Sequence, residues 1–142
     1  MNEYVVRLAA AEDNDAIQAL FASAISQADW LPESARSATD LASVTQDELI
    51  LVCTTSSGSI VGFASMYAPD RFLHHLFAAP GWERNRVGSA LIAGLQHWVK
   101  PPWRLKCLIA NERALAFYSH TGWLEVLRSE GPEGQYALLE KQ

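Results

Sequence analysis

The sequence lacks the features of a membrane-anchored, secreted or disulfide-stabilised protein. No apolar run in its 142 residues reaches the roughly 18 residues that a membrane span needs. The N-terminal stretch MNEYVVRL lacks the basic and then apolar layout of a signal peptide. The two cysteines, Cys53 and Cys107, lie in the apolar runs LILVC and LKCLI, so buried free thiols are favoured over a disulfide between them. We therefore expect a cytoplasmic protein.

An excess of basic charge is also absent. The formal net charge is −5 at pH 7, which argues against a general nucleic-acid binder. The charge is uneven, because residues 1–70 carry ten acidic side chains against Arg7 and Arg36, whereas residues 71–106 carry six basic ones against Glu83 alone. This distribution is typical either of a local site for an anionic ligand or of a surface with unevenly spread charge. Charge alone does not choose between the two.

The apolar and turn-forming residues that are present predict one α/β domain over residues 1–142, since the chain is too short for two. The predicted order is β-α-α-β-β-β-α-β-α-β-β, a mixed sheet flanked by helices. The second helix is predicted over residues 33–45, with Leu41 and Val44 facing inward. The third is predicted from residue 86 or 87 to about residue 99. Its buried face is predicted to carry Val87, Leu91, Ile92, Leu95 and Trp98.

The stretch HHLFAAPGWERNRVGSALIAGL carries most of the functional signal. A predicted strand ends at Pro80, and a short polar turn leads into a helix whose first turn contains Gly88 and Ser89. The N–H groups of a first helical turn have no partner in the helix, so the turn is either an anion site or an ordinary connection. It lacks the Gly-Lys-Ser/Thr of a nucleotide P-loop, and it has one glycine where a dinucleotide fingerprint needs three.

Two blocks of residues resemble the signature motifs of the GNAT N-acetyltransferase superfamily. PGWERNRVGSALI is similar to the acetyl-CoA motif Gln/Arg-x-x-Gly-x-Gly/Ala, whose last glycine falls on Gly88. NERALAFYSHTGW resembles the second block, Asn-x-x-Ala-x-x-Phe-Tyr-x-x-x-Gly-Phe. Its matching residues are Asn111, Ala114, Phe117, Tyr118 and Gly122, with Trp123 in the usual Phe position. A Phe-Tyr pair alone is typical of a buried aromatic pair, but two motifs in this order extend the resemblance over nearly the whole chain.

The resemblance implies a GNAT-type fold, with a mixed, mostly antiparallel central sheet flanked by helices, and acetyl-CoA as co-substrate. In that family the amides of the turn hold the pyrophosphate of CoA, and the preceding strand binds the pantetheine arm. The arm then falls on Phe77 and Ala78, and Asn111 and Phe117 also belong to the cofactor site. The pyrophosphate falls on the turn residues Glu83, Arg84, Asn85, Arg86, Val87, Gly88 and Ser89.

Two positions of the turn depart from the family motif. Glu83 stands where the motif has Gln or Arg, and an acidic side chain does not help to bind pyrophosphate. Arg86 stands where the motif has its first glycine, which matters if the ligand needs close backbone approach or the backbone a positive φ. We expect Arg86 to be accommodated, because a helical φ suits arginine and its charge favours an anion.

The resemblance also implies direct transfer of an acetyl group to an amine, with Tyr118 as the acid that protonates the departing thiolate. A base must take the proton of the amine, and the candidates are His74 and His75. Because alternate residues of a strand point to opposite faces, one of them is expected to line the acceptor cleft, with packing or exposure as the alternative for each. No further ligand cluster accompanies them, so no metal site is predicted. Glu33 and Arg36 lie where the family builds its acceptor pocket.

Two functions stay open at this point. The first is an N-acetyltransferase acting on a primary amine of a small molecule or a protein, and the acidic first half favours a cationic acceptor. The second is a non-catalytic acyl-CoA-binding or interaction module on the same fold, which Glu83 and Arg86 favour. No nucleic-acid or membrane partner is predicted, and a homodimer is an expectation from the family alone.

Overall fold

The structure of the protein is a computed structural model that describes residues 3–36 and 40–142. These residues form one sheet of seven strands: β1 Val5–Leu8, β2 Leu49–Thr54, β3 Ile60–Tyr67, β4 Phe72–Ala78, β5 Trp103–Leu108, β6 Leu124–Gly131 and β7 Gly134–Lys141. The strands lie in the order β1-β2-β3-β4-β5-β7-β6. All neighbours are antiparallel except β4 and β5, which run parallel. The predicted element order and the mostly antiparallel sheet are confirmed.

Within the described residues, four α-helices cover the two faces of this sheet. They are α1 Asn14–Ser26, α2 Leu41–Val44, α3 Val87–Leu95 and α4 Glu112–His120. Alternate residues of the central strands serve two cores, because Val52 and Phe63 pack with α1 whereas Leu51 and Ala64 pack with α3. No helix in the described ranges combines the length and the apolar character that would be needed to cross a membrane.

Strands β4 and β5 are paired only where they begin. Phe72 pairs with Arg104, whose N–H donates to the carbonyl of Arg71 at 3.0 Å. Over the rest of its described length β5 pairs with β7 instead, from Trp103 to Leu108. The two parallel strands therefore diverge towards their C-terminal ends and open the middle of the sheet. Helices α3 and α4 follow these two strand ends, a place where open α/β sheets commonly bind ligands.

Strand β4 contains a bulge at His74. Ser65 of β3 pairs with His75 and Met66 pairs with Leu73, so His74 is an extra residue with no counterpart on β3. The bulge reverses the alternation of side chains along β4. Leu73 packs in the core beneath α3, whereas Phe77 packs in the core beneath α1. An unbroken strand would place both on the same face.

The predicted second helix is shorter in the structure. Its described part is a 3-10 turn at Glu33–Arg36 and the one-turn α2, while residues 37–39 of the predicted helix lie outside the described residues. Leu41 is buried as predicted, but Val44 is 45% exposed, so the prediction for Val44 was wrong. The reason is that the chain leaves the helix at Thr45, which turns inward and donates its hydroxyl to the carbonyl of Leu41 at 2.8 Å.

Helix α3 also ends earlier than predicted, at Leu95 rather than near residue 99. The N–H groups of His97 and Trp98 bond to carbonyls three residues back, which tightens the last turn and rotates Trp98 away from the buried face. Trp98 is consequently 38% exposed, and its predicted burial was wrong. The other predicted core positions of this helix are buried: Val87, Leu91, Ile92 and Leu95.

Cys53 and Cys107 are both buried and unpaired, as the sequence predicts. Burial raises the pKa of each thiol to about 11, because the thiolate would lose its hydration. Both thiols therefore stay protonated at neutral pH.

Candidate active site

A cleft of about 510 Å³ lies where β4 and β5 diverge. We call it the arginine cleft, because Arg84, Arg86 and Arg113 line it. Its remaining walls come from the end of α1 and the segment after it, the end of β4, the first turn of α3, and α4. Except for Asn85 and Val87, the residues predicted for the cofactor all border it: Phe77, Ala78, Glu83, Arg84, Arg86, Gly88, Ser89, Asn111 and Phe117.

The first turn of α3 offers backbone N–H groups to this cleft. Arg86 is the N-cap residue, and the N–H groups of Gly88 and Ser89 have no acceptor among the described residues. The helix dipole adds partial positive charge at this end, and the three arginines add full charges. Such a helix start suits an anion with several oxygens, of which phosphate is the common example.

Arg86 has a left-handed backbone conformation, with φ 63° and ψ 23°. The expectation of a helical φ was therefore wrong. Residues 83–86 form a turn directly before α3 begins, and this turn imposes the positive φ. A residue with a Cβ is destabilised by roughly 1–2 kcal/mol in this region, whereas glycine, which the family motif has here, is not.

Three other residues of the turn stabilise the turn itself. The carboxylate of Glu83 accepts the N–H of Gly81 at 2.9 Å. The carbonyl of Asn85 accepts the phenol of Tyr4 at 2.7 Å, which ties the turn to the segment before β1. Val87 is only 1% exposed and packs in the core. Asn85 and Val87 thus hold the turn in place from outside the cleft.

The free edge of β4 faces the arginine cleft. The N–H of Ala79 donates to Val61 of β3 at 2.8 Å. Because successive residues alternate, the backbone of Phe77 also faces β3, whereas the N–H and C=O groups of Leu76 and Ala78 face the opening towards β5. Phe77 contributes its side chain to the cleft, and Leu76 is a backbone donor that the sequence analysis missed. Knowledge of the strand register was needed to find it.

Helix α4 brings Asn111 and Tyr118 to the wall of the cleft. Asn111 caps the helix as predicted, since its side-chain oxygen accepts the N–H of Ala114 at 3.2 Å. The ring of Tyr118 is buried and packs edge-on against Trp123, with ring centroids 5.5 Å apart. Burial and, to a lesser degree, the neighbouring Cys107 raise the pKa of Tyr118 above its ordinary value. The phenol therefore keeps its proton at neutral pH and is available as a donor.

A second cleft of about 350 Å³ adjoins the first, and we call it the histidine cleft, because His74 and His75 both line it. The two clefts share six residues: Trp30, Leu76, Phe77, Asn111, Ala114 and Tyr118. Strand alternation predicts that only one histidine reaches such a cleft. The bulge at His74 suspends the alternation and brings both histidines to it.

His75 is surrounded by apolar and aromatic side chains. Its ring packs edge-on against Phe21 and is stacked on Phe77, with centroids 5.5 Å and 6.2 Å away. Its Nδ1 atom lies 2.7 Å from the hydroxyl of the fully buried Ser65. Burial lowers the pKa of His75 to about 4, and His74 adds to this, although the nearby Glu48 acts in the opposite direction. His75 is therefore neutral at pH 7 and a weak base.

His74 is more exposed and contacts a buried acid. Its side chain is 41% exposed, and its Nδ1 atom hydrogen-bonds to one carboxylate oxygen of Glu48. The Glu48 side chain is only 4% exposed, and its other carboxylate oxygen is buried with no hydrogen-bond partner among the described residues. The sequence analysis missed Glu48, because no local pattern distinguishes it from other acids of the first half.

The resemblance implies that Glu33 and Arg36 belong to the acceptor pocket, but the structure places them elsewhere. The guanidinium of Arg36 donates to the carbonyls of Leu31 and Asp29 at 3.0 Å and 3.1 Å, and so fixes the turn that carries Trp30 into both clefts. Glu33 borders neither cleft. Lys106 and Glu133, which the sequence analysis did not single out, do border the histidine cleft. The described residues contain no group of three or more His, Cys, Asp or Glu arranged to hold a metal ion.

Comparison with known proteins agrees with this geometry. The model of the acetyltransferase (GNAT) family matches residues 17–123, whereas no curated protein sequence matches the chain. The fold is similar to that of apo YjaB from Escherichia coli, with a TM-score of 0.77, 21% identity and 97% of each chain covered. It is also similar to a GCN5-related N-acetyltransferase from Kribbella flavida, with a TM-score of 0.76, 16% identity and coverage of 97% and 96%. YncA from Salmonella typhimurium, solved with its cofactor acetyl-CoA, has a TM-score of 0.72, 15% identity and coverage of 99% and 94%.

Proposed function

The chain belongs to the GNAT acetyltransferase family, and we propose that it transfers an acetyl group from acetyl-CoA to a primary amine of a small molecule or protein. The observation that carries the proposal is the wall shared by the two clefts, to which Leu76, Asn111 and Tyr118 belong. Two ligands, one in each cleft, would meet at this wall. Direct transfer between bound molecules requires such a meeting point, because the enzyme gains most of its rate by holding reactants together.

The arginine cleft has the donors that acetyl-CoA needs. The open N–H groups of Gly88 and Ser89, together with Arg84 and Arg86, suit a diphosphate. The backbone groups of Leu76 and Ala78 suit the amides of an extended arm, which would lie along β4 as an added strand does. The similar fold of yncA, which was solved with acetyl-CoA, supports this assignment.

Acetyl-CoA supplies the activated thioester, and the protein supplies donors around it. The lone pair of the amine nitrogen forms the new C–N bond while the C–S bond breaks and its electron pair leaves with the sulfur. The N–H of Leu76 would donate to the carbonyl oxygen as negative charge develops there. The phenol of Tyr118 would give the sulfur a proton, and a base takes one proton from the amine. The products are then an amide and the CoA thiol, with all protons accounted for.

The histidine cleft supports an acceptor whose amine is carried on an apolar body. Apart from the shared wall, its lining includes the apolar side chains of Phe21, Ile25, Leu31 and Val44. None of the acidic residues between positions 3 and 70 that the structure describes borders either cleft. The positions of these acidic residues therefore give no support to a cationic acceptor.

The test is a thiol-release assay with acetyl-CoA over a panel of aryl-alkylamines, alkylamines, polyamines, amino acids and a peptide with a free N-terminus, with products identified by mass. We expect turnover above background hydrolysis, and a kcat/KM about tenfold higher for apolar monoamines than for polyamines. Calorimetry with acetyl-CoA alone is run in parallel. Absence of binding would overturn the proposal.

A non-catalytic acyl-CoA-binding module is the second candidate, because Glu83 and Arg86 depart from the family motif at the turn. The carboxylate of Glu83 occupies the N–H of Gly81, and Arg86 has a strained backbone, so the turn is not optimised for its ligand. Binding of acetyl-CoA without turnover of any amine would favour this second function.

A further inference from the structure

We propose that His74 is the base that takes the proton of the amine, and that Glu48 is its positioning residue. This inference rests on the proposed acetyl transfer and names the pair of residues that completes it. Neither the family motif nor the local sequence marks Glu48. The carboxylate of Glu48 is buried and bonded to His74, and the bulge presents His74 to the histidine cleft.

The topology brings the two residues together across β3. Leu49 of β2 pairs with Met66 of β3, and Met66 pairs with Leu73 of β4. Glu48 directly precedes Leu49 and His74 directly follows Leu73, so the two residues lie next to this row of paired residues, on either side of β3. The bulge frees His74 from pairing, so its ring can both contact Glu48 and border the histidine cleft.

The bond to Glu48 determines which ring nitrogen of His74 can act as a base. An ionised carboxylate only accepts hydrogen bonds, so the Nδ1 atom of His74 must be the donor. The neutral ring then carries its proton on Nδ1 and a lone pair on Nε2. With Nδ1 engaged by Glu48, Nε2 is the atom of His74 that can accept a proton in the cleft.

The burial of Glu48 supports a functional role. Its side chain is 4% exposed, and one of its oxygens has no partner among the described residues. Burial of a carboxylate is unfavourable unless its oxygens are hydrogen-bonded, so a carboxylate that served only stability would be expected to have both oxygens bonded. What this arrangement does provide is a hydrogen bond from Nδ1 of His74 to a buried carboxylate, which fixes the tautomer and the orientation of the imidazole.

His75 is the weaker candidate, although it borders the same cleft. Its Nδ1 atom is engaged by the hydroxyl of Ser65, and no carboxylate of the described residues forms a hydrogen bond with its ring. Aromatic rings surround it, and burial lowers its pKa to about 4, so it accepts a proton poorly at neutral pH. Substitutions at the two adjacent histidines can therefore be compared directly, and a base role for His74 predicts the larger loss of activity at His74.

The amine nitrogen forms its bond to the acetyl carbon and gives one proton to Nε2 of His74, while the sulfur leaves with the electron pair of the C–S bond and takes a proton from Tyr118. His74 then returns its proton to solvent, and the phenolate of Tyr118 recovers one from solvent. Glu48 accepts the hydrogen bond from Nδ1 of His74 throughout and exchanges no proton with the substrates.

The kinetic test compares His74→Gln, His75→Gln and Glu48→Gln with the unmodified protein, using the best amine of the panel. We expect His74→Gln to lower kcat about 100-fold and Glu48→Gln about 10-fold, with KM for acetyl-CoA changed less than about threefold. His97→Gln, at a histidine that borders neither cleft, is the control that should leave kcat unchanged, and His75→Gln should lower kcat less than His74→Gln does. Equal losses in His74→Gln and His75→Gln, or full activity in His74→Gln, would overturn the assignment of His74.

A spectroscopic test does not depend on turnover. In protein labelled with ¹⁵N-histidine, the signals of His74 are assigned by their loss in His74→Gln, and the ¹⁵N shifts report which ring nitrogen carries the proton. We expect the Nδ1–H tautomer in the unmodified protein, retention of it in Glu48→Asp and a mixture of tautomers in Glu48→Gln. A predominant Nε2–H tautomer, or no change in Glu48→Gln, would overturn the role of Glu48.

The outcomes separate this inference from the proposed function. If the unmodified protein acetylates no amine, the proposed function fails and the base role fails with it, whatever the tautomer. If it turns over but the variants behave otherwise than stated, only the Glu48–His74 pair fails. Because His74 is partly exposed, its substitution should leave folding intact, and urea unfolding of each variant checks this.

Discussion

The ring of Phe117 in α4 lies directly against Gly88 in the first turn of α3. A Cβ atom added at Gly88 would be 3.1 Å from the Cζ atom of Phe117, closer than almost all real contacts of this kind. The last glycine of the first motif and the aromatic residue of the second are thus in contact, and both border the arginine cleft. The close approach of the two helices favours a small residue here, and backbone conformation does not, since the φ of Gly88 is helical and not left-handed.

This contact predicts that Gly88→Ala and Phe117→Ala have non-additive effects on stability. Alanine is favoured over glycine inside a helix by about 1 kcal/mol, but in the unmodified protein the new methyl group would press on the ring. We expect Gly88→Ala to be nearly neutral alone and to stabilise by about 1 kcal/mol in the Phe117→Ala background. Urea unfolding of the two single variants and the double variant measures the difference. Additivity to within about 0.3 kcal/mol would show that the two residues do not interact.

The left-handed backbone at Arg86 predicts that glycine at this position gives a more stable protein than alanine does, while both substitutions weaken the binding of acetyl-CoA. Arg86→Gly and Arg86→Ala both remove a cation from the arginine cleft, but only glycine relieves the positive φ. We expect the glycine variant to be more stable than the alanine variant by roughly 0.5–1 kcal/mol, because the relief of strain exceeds the added flexibility of the unfolded chain. Both should bind acetyl-CoA about fivefold more weakly than the unmodified protein.

Urea unfolding and calorimetry on the same two variants test this separately. The alanine variant is the matched control, since it loses the same charge and keeps the same backbone conformation. A glycine variant less stable than the alanine variant would contradict the strain at residue 86. Unchanged affinity in both would show that the guanidinium of Arg86 does not contact the ligand.

The sequence predicted those features of the fold and of the site that depend on local pattern. The order of strands and helices follows from hydrophobic periodicity and turn residues, and the positions of Gly88, Asn111 and Tyr118 follow from motif spacing. The structure confirms the sheet and brings these residues to one cleft. Periodicity failed where a helix ended inside the pattern, so that Val44 and Trp98 were assigned to the core but are exposed.

The features that the sequence did not predict depend on contacts between residues distant in the chain. The bulge at His74 is visible only in the register of β3 against β4, and without it strand alternation predicts that the two histidines separate. The bond between His74 and Glu48 links residues 26 positions apart, and no periodicity marks it. The positive φ of Arg86 contradicts the conformational preference of arginine, because the geometry of the turn overrides local preference there.

The buried phenol of Tyr118 predicts a loss of kcat without a loss of binding when it is removed. Tyr118→Phe keeps the ring and its packing against Trp123, so the fold and KM for acetyl-CoA should change little. We expect kcat to fall by about 10- to 100-fold, because the departing sulfur loses its proton donor. Tyr136→Phe is the matched control, since Tyr136 borders neither the arginine nor the histidine cleft, and it should leave kcat unchanged.

The pH dependence of the same variants tests the acid role further. The raised pKa of Tyr118 keeps the phenol protonated across the neutral range, so its ionisation should not limit kcat between pH 7 and 9. Unchanged turnover in Tyr118→Phe at every pH would remove the acid role proposed for this residue.

The buried position of His75 predicts that the protein loses stability as the pH falls from about 6.5 to about 4. The pKa of His75 is lowered from 6.5 to about 4, so in this window the unfolded chain binds a proton that the folded chain does not. The free energy of unfolding then falls with decreasing pH, by at most about 1.4 kcal/mol per pH unit from this residue. Asp13 does not contribute in the same window, because its pKa is lowered from 3.8 to about 2 and its effect appears only below that range.

His75→Gln keeps a hydrogen-bonding partner for Ser65 but cannot titrate, so we expect the free energy of unfolding to depend less on pH in this variant. Urea unfolding of both proteins at pH 7, 6, 5 and 4.5 makes the comparison, and parallel curves would show that His75 is not the residue that resists protonation in the folded state.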